Sequence, residues 1–472
     1  MLTKQRTKIV ATIGMQNDTE FIRSLYNAGA GTFRLNTAHQ TPEESAGIID
    51  RIRAVSDKAA ILIDTKGPEV RTVDIAEAIE VKEGEEVYIV PQGGEFKGKH
   101  FSVSYNQFCT EMKRGTEILI DDGELSMVII DKKEDSLRCI INNNGKISNK
   151  KSVNVPRIPI SLPSLTKKDE DYIHFAAKNN LDFIAHSFVR NKEDVIAVQK
   201  ILDKYNSPIK IIAKIENNEG IENLDEILDH CHGVMVARGD LGIELPAEDV
   251  PIVQKKMIRK CIKRRKVVIT ATQMLHSMIK NPRPTRAEVS DVANAVMDGT
   301  DALMLSGETA YGSYPLEAVQ TMATIAKKIE EQMKPNLKET KLVEMHPVRF
   351  QLIKSAVNTA KILKTQAIII QTDTGRSARL IAAFRGKIPV MALSPNQWVI
   401  RQLALSFGVE AYLLKTQETL DEMVSESVKT LLDADVIQNT DLVMMVGSSP
   451  KQAYVTNFLE VGEASHFLGG RE

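Results

Sequence analysis

The chain has 472 residues, a length that predicts about two to four domains. Its 61 Lys and Arg side chains balance 62 Asp and Glu side chains to a formal net charge of −1, which argues against a nucleic-acid-binding protein that relies on bulk positive charge. The four scattered cysteines form no C-x-x-C pair, and no apolar run reaches signal-peptide or membrane-span length, so we expect a soluble cytoplasmic protein without disulfides, structural zinc or a membrane partner.

Short apolar segments recur along the chain, and each is followed by apolar residues at helical spacing. Eight of them are predicted to be strands: residues 8–13, 31–36, 60–64, 182–187, 209–216, 233–238, 267–272 and 302–306. Eight βα units in succession predict a (β/α)8 TIM barrel, an α/β fold whose active site lies at the carboxyl ends of the strands. We call these ends the barrel mouth.

The gap between the third and fourth predicted strands is too long for one helix, and its sequence pattern differs from that of the βα units. Short β-prone runs alternate there with turn signals such as Gly93-Gly94 and Asn144-Gly145. This pattern predicts a small β-barrel domain at residues 72–153, inserted into the barrel domain (1–71 and 154–337). The inserted domain could close over the barrel mouth as a lid.

Residues 338–472 return to α/β alternation and predict a third, regulatory domain. Its expected parallel strands are residues 367–372, 388–394, 409–414 and 441–447. The loop at residues 372–379 carries hydroxyls, a glycine and two arginines ahead of a predicted helix. Two interpretations stay open: a site for the phosphate of an effector, or a capped helix start with surface arginines.

Lys214 and Glu216 lie at the end of the fifth predicted strand, which is otherwise apolar. Because side chains alternate along a strand, the two point the same way. They either pair with each other where the strand surfaces or face a shared site. The barrel pattern favours the site, since the barrel mouth is where both residues fall.

Glu216 and Asp240 are predicted to end consecutive strands, which lie about 4.8 Å apart in a sheet. Two carboxylates at one level can share a hard cation, and Mg²⁺ typically takes one or two protein carboxylates and leaves its other positions to water and phosphate. Either residue alone would more simply be a helix cap. Together with Lys214 they predict a metal–phosphate site.

Further cations and hydroxyls are predicted at the barrel mouth. Arg34 and Arg71 are expected to converge with Lys214 on an anionic ligand, since arginine suits phosphate and carboxylate. Thr272 and Ser306 end the last two strands, although backbone hydrogen bonding is their simpler role. The set suits phosphoryl transfer, which depends on positioning and charge neutralisation, and it contains no Ser–His or Cys–His pair.

Several longer motifs at the strand ends carry a family resemblance. The sequence resembles the pyruvate kinase family over essentially its whole length, in the short form without an extra amino-terminal segment. The matching motifs are residues 7–14, 64–71, 214–217, 237–242, 271–274, 282–288 and 305–310.

The resemblance implies transfer of the phosphoryl group of phosphoenolpyruvate to ADP in glycolysis, giving ATP and pyruvate after protonation of an enolate. Lys214 would neutralise the moving phosphoryl group, and Glu216 and Asp240 would hold Mg²⁺ or Mn²⁺. Gly239, Asp240 and Thr272 would receive the substrate carboxylate. The residues implied to take part in catalysis are Lys214, Arg34, Arg71, Thr272 and Ser306, of which the last two lie near the enolate face.

The resemblance also implies a nucleotide site and a potassium site. Arg34 and Arg71 would hold phosphate, and Lys151 of the inserted domain, Arg34 and Asn36 would meet the nucleotide. Asn36, Asp64 and the carbonyl of Thr65 would bind K⁺. A homotetramer and a sugar-phosphate effector are expected from the family alone.

Five positions depart from the family pattern. Ala38 replaces a potassium-binding serine, which would weaken the K⁺ site, although Glu69 is an acid of the kind that accompanies K⁺ dependence. The other departures are Met15 for proline, Gln40 and Ser152 for glycine, and His276 for glutamate. Two rival functions follow: a non-catalytic or regulatory paralogue that binds phosphometabolites, and a barrel lyase without a nucleotide lid.

Overall fold

The computed structural model describes residues 5–38, 40–94, 96–133, 135–156, 158, 160–333, 347–448 and 456–468. Eight parallel strands close into a barrel in which each strand pairs with its neighbours in chain order. Numbered along the whole chain, they are β1 Lys8–Ile13, β2 Ala30–Asn36, β3 Ala60–Asp64, β13 Phe183–His186, β14 Lys210–Ile215, β15 Gly233–Ala237, β16 Val267–Ala271 and β17 Ala302–Leu305. The predicted TIM barrel is confirmed.

Helices surround this barrel and bury their apolar faces against the strands. They are α1 Thr19–Ala28, α2 Pro42–Val55, α4 Lys167–Lys178, α5 Lys192–Asp203, α6 Asn218–Glu222, α7 Leu224–His230, α8 Arg238–Glu244, α9 Val250–Arg264, α10 Arg286–Asp298, α11 Gly307–Ala310 and α12 Pro315–Gln332. The start of α2 shows how local sequence fixes a boundary. Thr41 accepts from the Glu44 amide, Glu44 accepts in return from the Thr41 amide, and Pro42 occupies the first turn.

The inserted segment is all-β apart from the short helix α3 Phe108–Glu111. Its strands are β4 Thr72–Val73, β5 Ile79–Val81, β6 Glu86–Val90, β7 His100–Val103, β8 Glu117–Ile120, β9 Leu125–Lys133, β10 Ser136–Ile141, β11 Gly145–Ile147 and β12 Val153–Asn154. Seven of them form one sheet with β12 and β4 at its edges. An antiparallel bridge between Arg71 and Ser152 joins these edges, so the sheet closes on itself as the predicted small barrel.

The C-terminal segment holds a five-stranded sheet in the order β20-β19-β18-β21-β22. Its strands are β18 Ala367–Gln371, β19 Val390–Ser394, β20 Val409–Leu413, β21 Leu442–Gly447 and β22 Phe458–Glu463, and its helices are α13 Pro347–Leu363, α14 Arg376–Ala382, α15 Gln397–Gln402 and α16 Leu420–Asp433. The sequence predicted the four parallel strands but missed β22, which pairs antiparallel with β21 at the sheet edge. This strand is only partly buried, so it lacks the apolar run that reveals the others.

The C-terminal segment docks on the face of the barrel opposite the mouth, where buried carboxylates precede two barrel strands. Asp182 is fully buried before β13; its Oδ1 accepts from Nε of Arg401 at 2.6 Å, and its Oδ2 accepts from Arg53 at 2.9 Å and from the Ile61 amide at 2.8 Å. Arg401 belongs to α15 of the C-terminal segment, so this carboxylate joins the two folded units.

The predicted division of the chain at residues 71, 153 and 337 stays a prediction, and the last of these positions lies outside the described residues. In the part of the chain that the structure describes, we find no helix that is both long enough and apolar enough to cross a membrane.

Candidate active site

Lys214 lies in β14 at the barrel mouth, and its ammonium group contacts three oxygen atoms. Nζ is 3.1 Å from Oδ1 of Asp64 and 2.9 Å from Oε1 of Glu216, and it donates to Oγ of Ser187 at 2.6 Å. Burial alone would lower the pKa of Lys214, but the carboxylates of Asp64, Glu216 and Asp240 outweigh it and raise this pKa above its ordinary value. The side chain is therefore a mostly buried positive charge held by three oxygen atoms.

Asp64 is the last residue of β3 and holds a second cation. Its Oδ2 is 2.6 Å from Nε of Arg34 on β2. Burial alone would raise the pKa of Asp64, but Arg34 and Lys214 lower it below its usual range. Arg34 also donates from Nη1 to Oγ1 of Thr12 at 3.1 Å, and this bond fixes the guanidinium group. Arg34 and Lys214 thus contact the two oxygens of one carboxylate.

Glu216 and Asp240 face the same cleft from successive βα connections. Glu216 directly follows β14, and its Oε2 accepts from the Phe188 amide at 2.6 Å. Asp240 lies in the first turn of α8 and does not end a strand as predicted. Burial, followed by the charge of Glu216, raises the pKa of Asp240 to about 8. Two carboxylates crowded in this way are a fitting pair for a divalent cation, whose charge would remove their repulsion.

No cluster of three or more acidic, histidine or cysteine side chains suited to a metal occurs among the described residues. A divalent cation at Glu216 and Asp240 would therefore rely on these two carboxylates and on oxygens from water and substrate. Mg²⁺ is usually held in that way.

Thr272 follows β16 and adopts a φ of +68°, a strained conformation for a β-branched residue. Its Oγ1 accepts from the Gly239 amide at 2.8 Å and donates to the Ala271 carbonyl at 2.7 Å. Arg238 holds the strained loop, because its Nη2 donates to the Thr272 carbonyl at 2.7 Å while its Nη1 pairs with Asp291 at 2.7 Å. The hydroxyl and the amide predicted to meet one substrate carboxylate are therefore neighbours.

Ser306 directly follows β17, and its amide donates to Oε2 of Glu308 at 2.8 Å. Glu308 is buried and also accepts from the Leu275 amide at 3.0 Å. One carboxylate thus ties together the loops that carry Thr272 and Ser306. Glu308 was not among the predicted site residues.

The oxygens predicted to bind K⁺ come from adjacent strand ends. Asn36 and Asp64 are register partners on β2 and β3. Oδ1 of Asn36 accepts from the Ala38 amide at 3.1 Å, and the Thr65 carbonyl accepts from Oγ of Ser187 at 2.6 Å. One carboxylate and two neutral oxygens fit a monovalent cation, and Ala38 contributes no side-chain oxygen to them.

Arg71 and Lys151 lie apart from the ionic cluster, on the connection to the inserted domain. Nε of Arg71 donates to Glu69 at 2.8 Å, and its Nη1 donates to the Lys150 carbonyl at 2.6 Å. Nζ of Lys151 is 2.7 Å from Oδ2 of Asp121, within the inserted domain. The structure therefore does not bring Arg71 to the carboxylate that Arg34 and Lys214 share.

Two cavities open at the barrel mouth. One of about 420 Å³ is lined by Glu216 and Asp240 and, from the inserted domain, by Asp122 and Ser152. The other, of about 950 Å³, is lined by residues that include Arg34, Asn36, Ser306, Met15 and Tyr311. The barrel and the inserted domain together thus enclose a space above the ionic cluster.

Comparison with protein-family models identifies the chain over most of its length. A model described as pyruvate kinase, barrel domain, matches residues 4–319, and one described as pyruvate kinase, alpha/beta domain, matches residues 351–462. The chain belongs to the pyruvate kinase family. A pyruvate kinase of Borreliella burgdorferi is 46% identical to it over 471 residues, covering 98% of each chain. A pyruvate kinase of Staphylococcus aureus is 44% identical over 477 residues, covering 98% of this chain and 81% of the relative.

Three polar residues around the site of this pyruvate kinase family member were missed in the sequence analysis: Ser187, Arg238 and Glu308. Each stands immediately or shortly after a barrel strand. That position is the signal that could have found them, since the carboxyl end of every barrel strand faces the mouth. A single serine, arginine or glutamate in such a place is otherwise indistinguishable from a helix cap.

Proposed function

We propose that this chain is a pyruvate kinase that transfers the phosphoryl group of phosphoenolpyruvate to ADP and releases pyruvate and ATP in the cytoplasm. The observation that carries the proposal is the ammonium group of Lys214, held at 2.9 Å from Glu216 and 3.1 Å from Asp64. Phosphoryl transfer needs fixed positive charge where the moving group gathers negative charge. Family membership supports both the substrates and the product.

In this proposal each residue has a positioning or charge role. Lys214 neutralises the phosphoryl group as it leaves the enolate oxygen. The Gly239 amide and the Thr272 hydroxyl, 2.8 Å apart, both turn to the substrate carboxylate. Arg34 turns part of its guanidinium group from Asp64 to the phosphate of the substrate. A divalent cation at Glu216 and Asp240 would supply charge neutralisation between carboxylate and phosphate.

The larger cavity supports a nucleotide site beside this cluster. Arg34 and Asn36 line it together with Ser306. Lys151 belongs to the inserted domain and pairs there with Asp121, so it would have to exchange this partner for the nucleotide phosphates, and a movement of the domain toward the barrel would bring it to them. We propose that ADP binding accompanies this closure, which would also exclude water.

One coupled assay tests the function against its rivals. Purified protein is given phosphoenolpyruvate, ADP and Mg²⁺, with and without K⁺, and ATP and pyruvate are measured. Formation of both products in equal amounts supports the proposal. Pyruvate without ATP would indicate a lyase or phosphatase, and binding without any turnover would indicate a regulatory paralogue.

A homotetramer is proposed from the family and is supported by apolar side chains on the outer barrel helices. Ile252 on α9 is 65% exposed, and Val289 and Met297 on α10 are 37% and 55% exposed. Exposed apolar groups on neighbouring helices are typical of a surface that another subunit covers.

We predict activation by K⁺, with a higher half-saturating concentration than in the Ala38→Ser variant. Asp64 keeps the carboxylate that balances the cation, whereas Ala38 removes one neutral oxygen, which water can replace. The measurement is a K⁺ titration of both proteins in sodium- and ammonium-free buffer at fixed ionic strength. Full activity of the natural protein without any monovalent cation would contradict this prediction.

We propose that residues 374–379 bind the phosphate of a sugar-phosphate effector. Arg376 and Thr374 are exposed, and Arg349 donates to Oγ of Ser377 at 2.7 Å, so a third arginine joins the loop's own Arg376 and Arg379. Burial and the neighbouring charge of Arg376 lower the pKa of Arg379 to about 10. A bound anion would relieve this crowding of positive charge.

The corresponding prediction is that a sugar phosphate lowers the substrate concentration needed for half-maximal activity, and that Arg376→Ala removes the effect. Phosphorylated sugars are screened at subsaturating phosphoenolpyruvate. Lys415→Ala, which removes an exposed cation from the same segment, serves as the control. If no sugar phosphate changes the substrate response, the loop has only a structural role.

A further inference from the structure

Ser187 is a buried residue directly after β13, and its hydroxyl lies between Lys214 and Thr65. Oγ accepts from Nζ of Lys214 at 2.6 Å and donates to the Thr65 carbonyl at 2.6 Å, whereas Oδ1 of Asp64 is more distant at 3.4 Å. A hydroxyl has one proton and two lone pairs. Because the short bond to Thr65 uses the proton, the lone pairs are turned toward the ammonium group.

This hydroxyl completes the coordination of Lys214. An ammonium group has three protons, and the three acceptors around it are Asp64, Glu216 and Ser187. The two carboxylates alone would leave one proton of a buried charge without an acceptor. They would also leave the long lysine side chain free to lean toward either acid, away from the substrate.

The backbone around Ser187 is itself fixed. Phe188 adopts a φ of +55°, and this turn directs its amide to Oε2 of Glu216 at 2.6 Å. Gly67, at a φ of +72°, packs so closely that a Cβ there would lie 2.8 Å from Cβ of Ser187. Two consecutive residues therefore hold the Lys214–Glu216 pair, one through its hydroxyl and the other through its amide.

We infer that Ser187 is a positioning residue for phosphoryl transfer, which fixes the ammonium group of Lys214 in the place where the phosphoryl group passes. The inference rests on the proposed function for its catalytic consequence, but the immobilised lysine is a property of the chain itself. In this role the hydroxyl acts through Lys214 and is not itself a catalytic group.

The kinetic test compares Ser187→Ala with Ser427→Ala. Ser427 is a matched control, since it is a buried serine of the C-terminal sheet region whose Oγ donates to the Met423 carbonyl at 2.6 Å. For Ser187→Ala we expect kcat to fall about tenfold to a hundredfold, because a catalytic group displaced by about 1 Å loses activity on this scale. The KM for phosphoenolpyruvate should change little. Ser427→Ala should change neither constant.

The double variant Ser187→Ala/Lys214→Ala shows whether the serine acts through the lysine. We expect it to be no slower than Lys214→Ala alone, because a positioning group has nothing left to position. Multiplied losses would overturn the inference, and so would an unchanged kcat in Ser187→Ala. If Ser187→Ala does not fold, Ser187→Cys gives the same comparison, because a thiol is a weak acceptor.

A second measurement does not depend on turnover. An amine-acylating reagent is applied at mildly alkaline pH, and modification of Lys214 is quantified by mass spectrometry of the peptide. Modification should be several-fold faster in Ser187→Ala than in the natural protein and unchanged in Ser427→Ala. Equal rates would overturn the inference. Absence of kinase activity in the natural protein would instead contradict the proposed function, and the modification rates would still decide whether Ser187 holds the lysine.

Discussion

Lys214→Ala is expected to lower kcat by on the order of 10²-fold or more, with a much smaller change in KM for phosphoenolpyruvate. The ammonium group of the lysine is mostly buried and is held by Asp64, Glu216 and Ser187. Such a charge matters most when the phosphoryl group is in motion, so its loss affects the transition state more than the bound substrate. Steady-state kinetics at saturating ADP and Mg²⁺ separate the two constants.

Lys210→Ala is the matched control for this variant. Lys210 begins the same strand β14, at the end away from the mouth, and its ammonium group lies 5.8 Å from the ring centre of Trp398. Its removal should leave kcat unchanged. Near-normal kcat in Lys214→Ala would remove this residue from the mechanism, and an equal loss in both variants would indicate damage to the barrel.

Asp182→Ala is expected to lower the free energy of unfolding by about 3 to 5 kcal/mol, the range for breaking a buried ion pair from one side. Asp182 is fully buried and pairs with Arg53 at 2.9 Å and with Arg401 at 2.6 Å. Without the carboxylate, both guanidinium groups lose their charged partner and the Ile61 amide loses its acceptor. Urea unfolding, followed by fluorescence and circular dichroism, measures the change.

The control for this variant is Asp171→Ala, since Asp171 pairs with Lys167 on the surface of α4 and its side chain is 56% exposed. A surface pair of this kind contributes up to about 1 kcal/mol. If Asp182→Ala unfolds at the same urea concentration as the natural protein, the buried carboxylate does not hold the C-terminal segment on the barrel.

The sequence was sufficient for the barrel because its eight strands are apolar runs, each followed by a helical pattern, and the closed parallel sheet follows from their number. It was also sufficient for the pair Lys214 and Glu216, since alternation along β14 puts both on one face. The placement of Asp240 at a strand end was less accurate, because it lies in the first turn of α8. A short helix that begins directly after a strand looks, in sequence, like the polar end of that strand.

Long-range partners explain most of what the sequence did not predict. Arg401 lies 219 positions from Asp182 in the chain, and no local pattern links them. Arg71 was expected to converge with Arg34 and Lys214 at the barrel mouth, whereas in the structure it bonds Glu69 and the Lys150 carbonyl at the turn into the inserted domain. Such partners depend on the path of loops, which strand periodicity does not determine.

The fourth strand of the barrel, β13, has Asp182 before its first residue and Ser187 after its last. The five steps between them span about 17 Å at roughly 3.3 Å per residue. Both flanking strands pair with β13 in parallel, so sliding it by one residue would break its hydrogen bonds on both sides. Asp182, which binds Arg401 of the C-terminal segment, and Ser187, which binds Lys214, are thus held at a constant separation by this one strand.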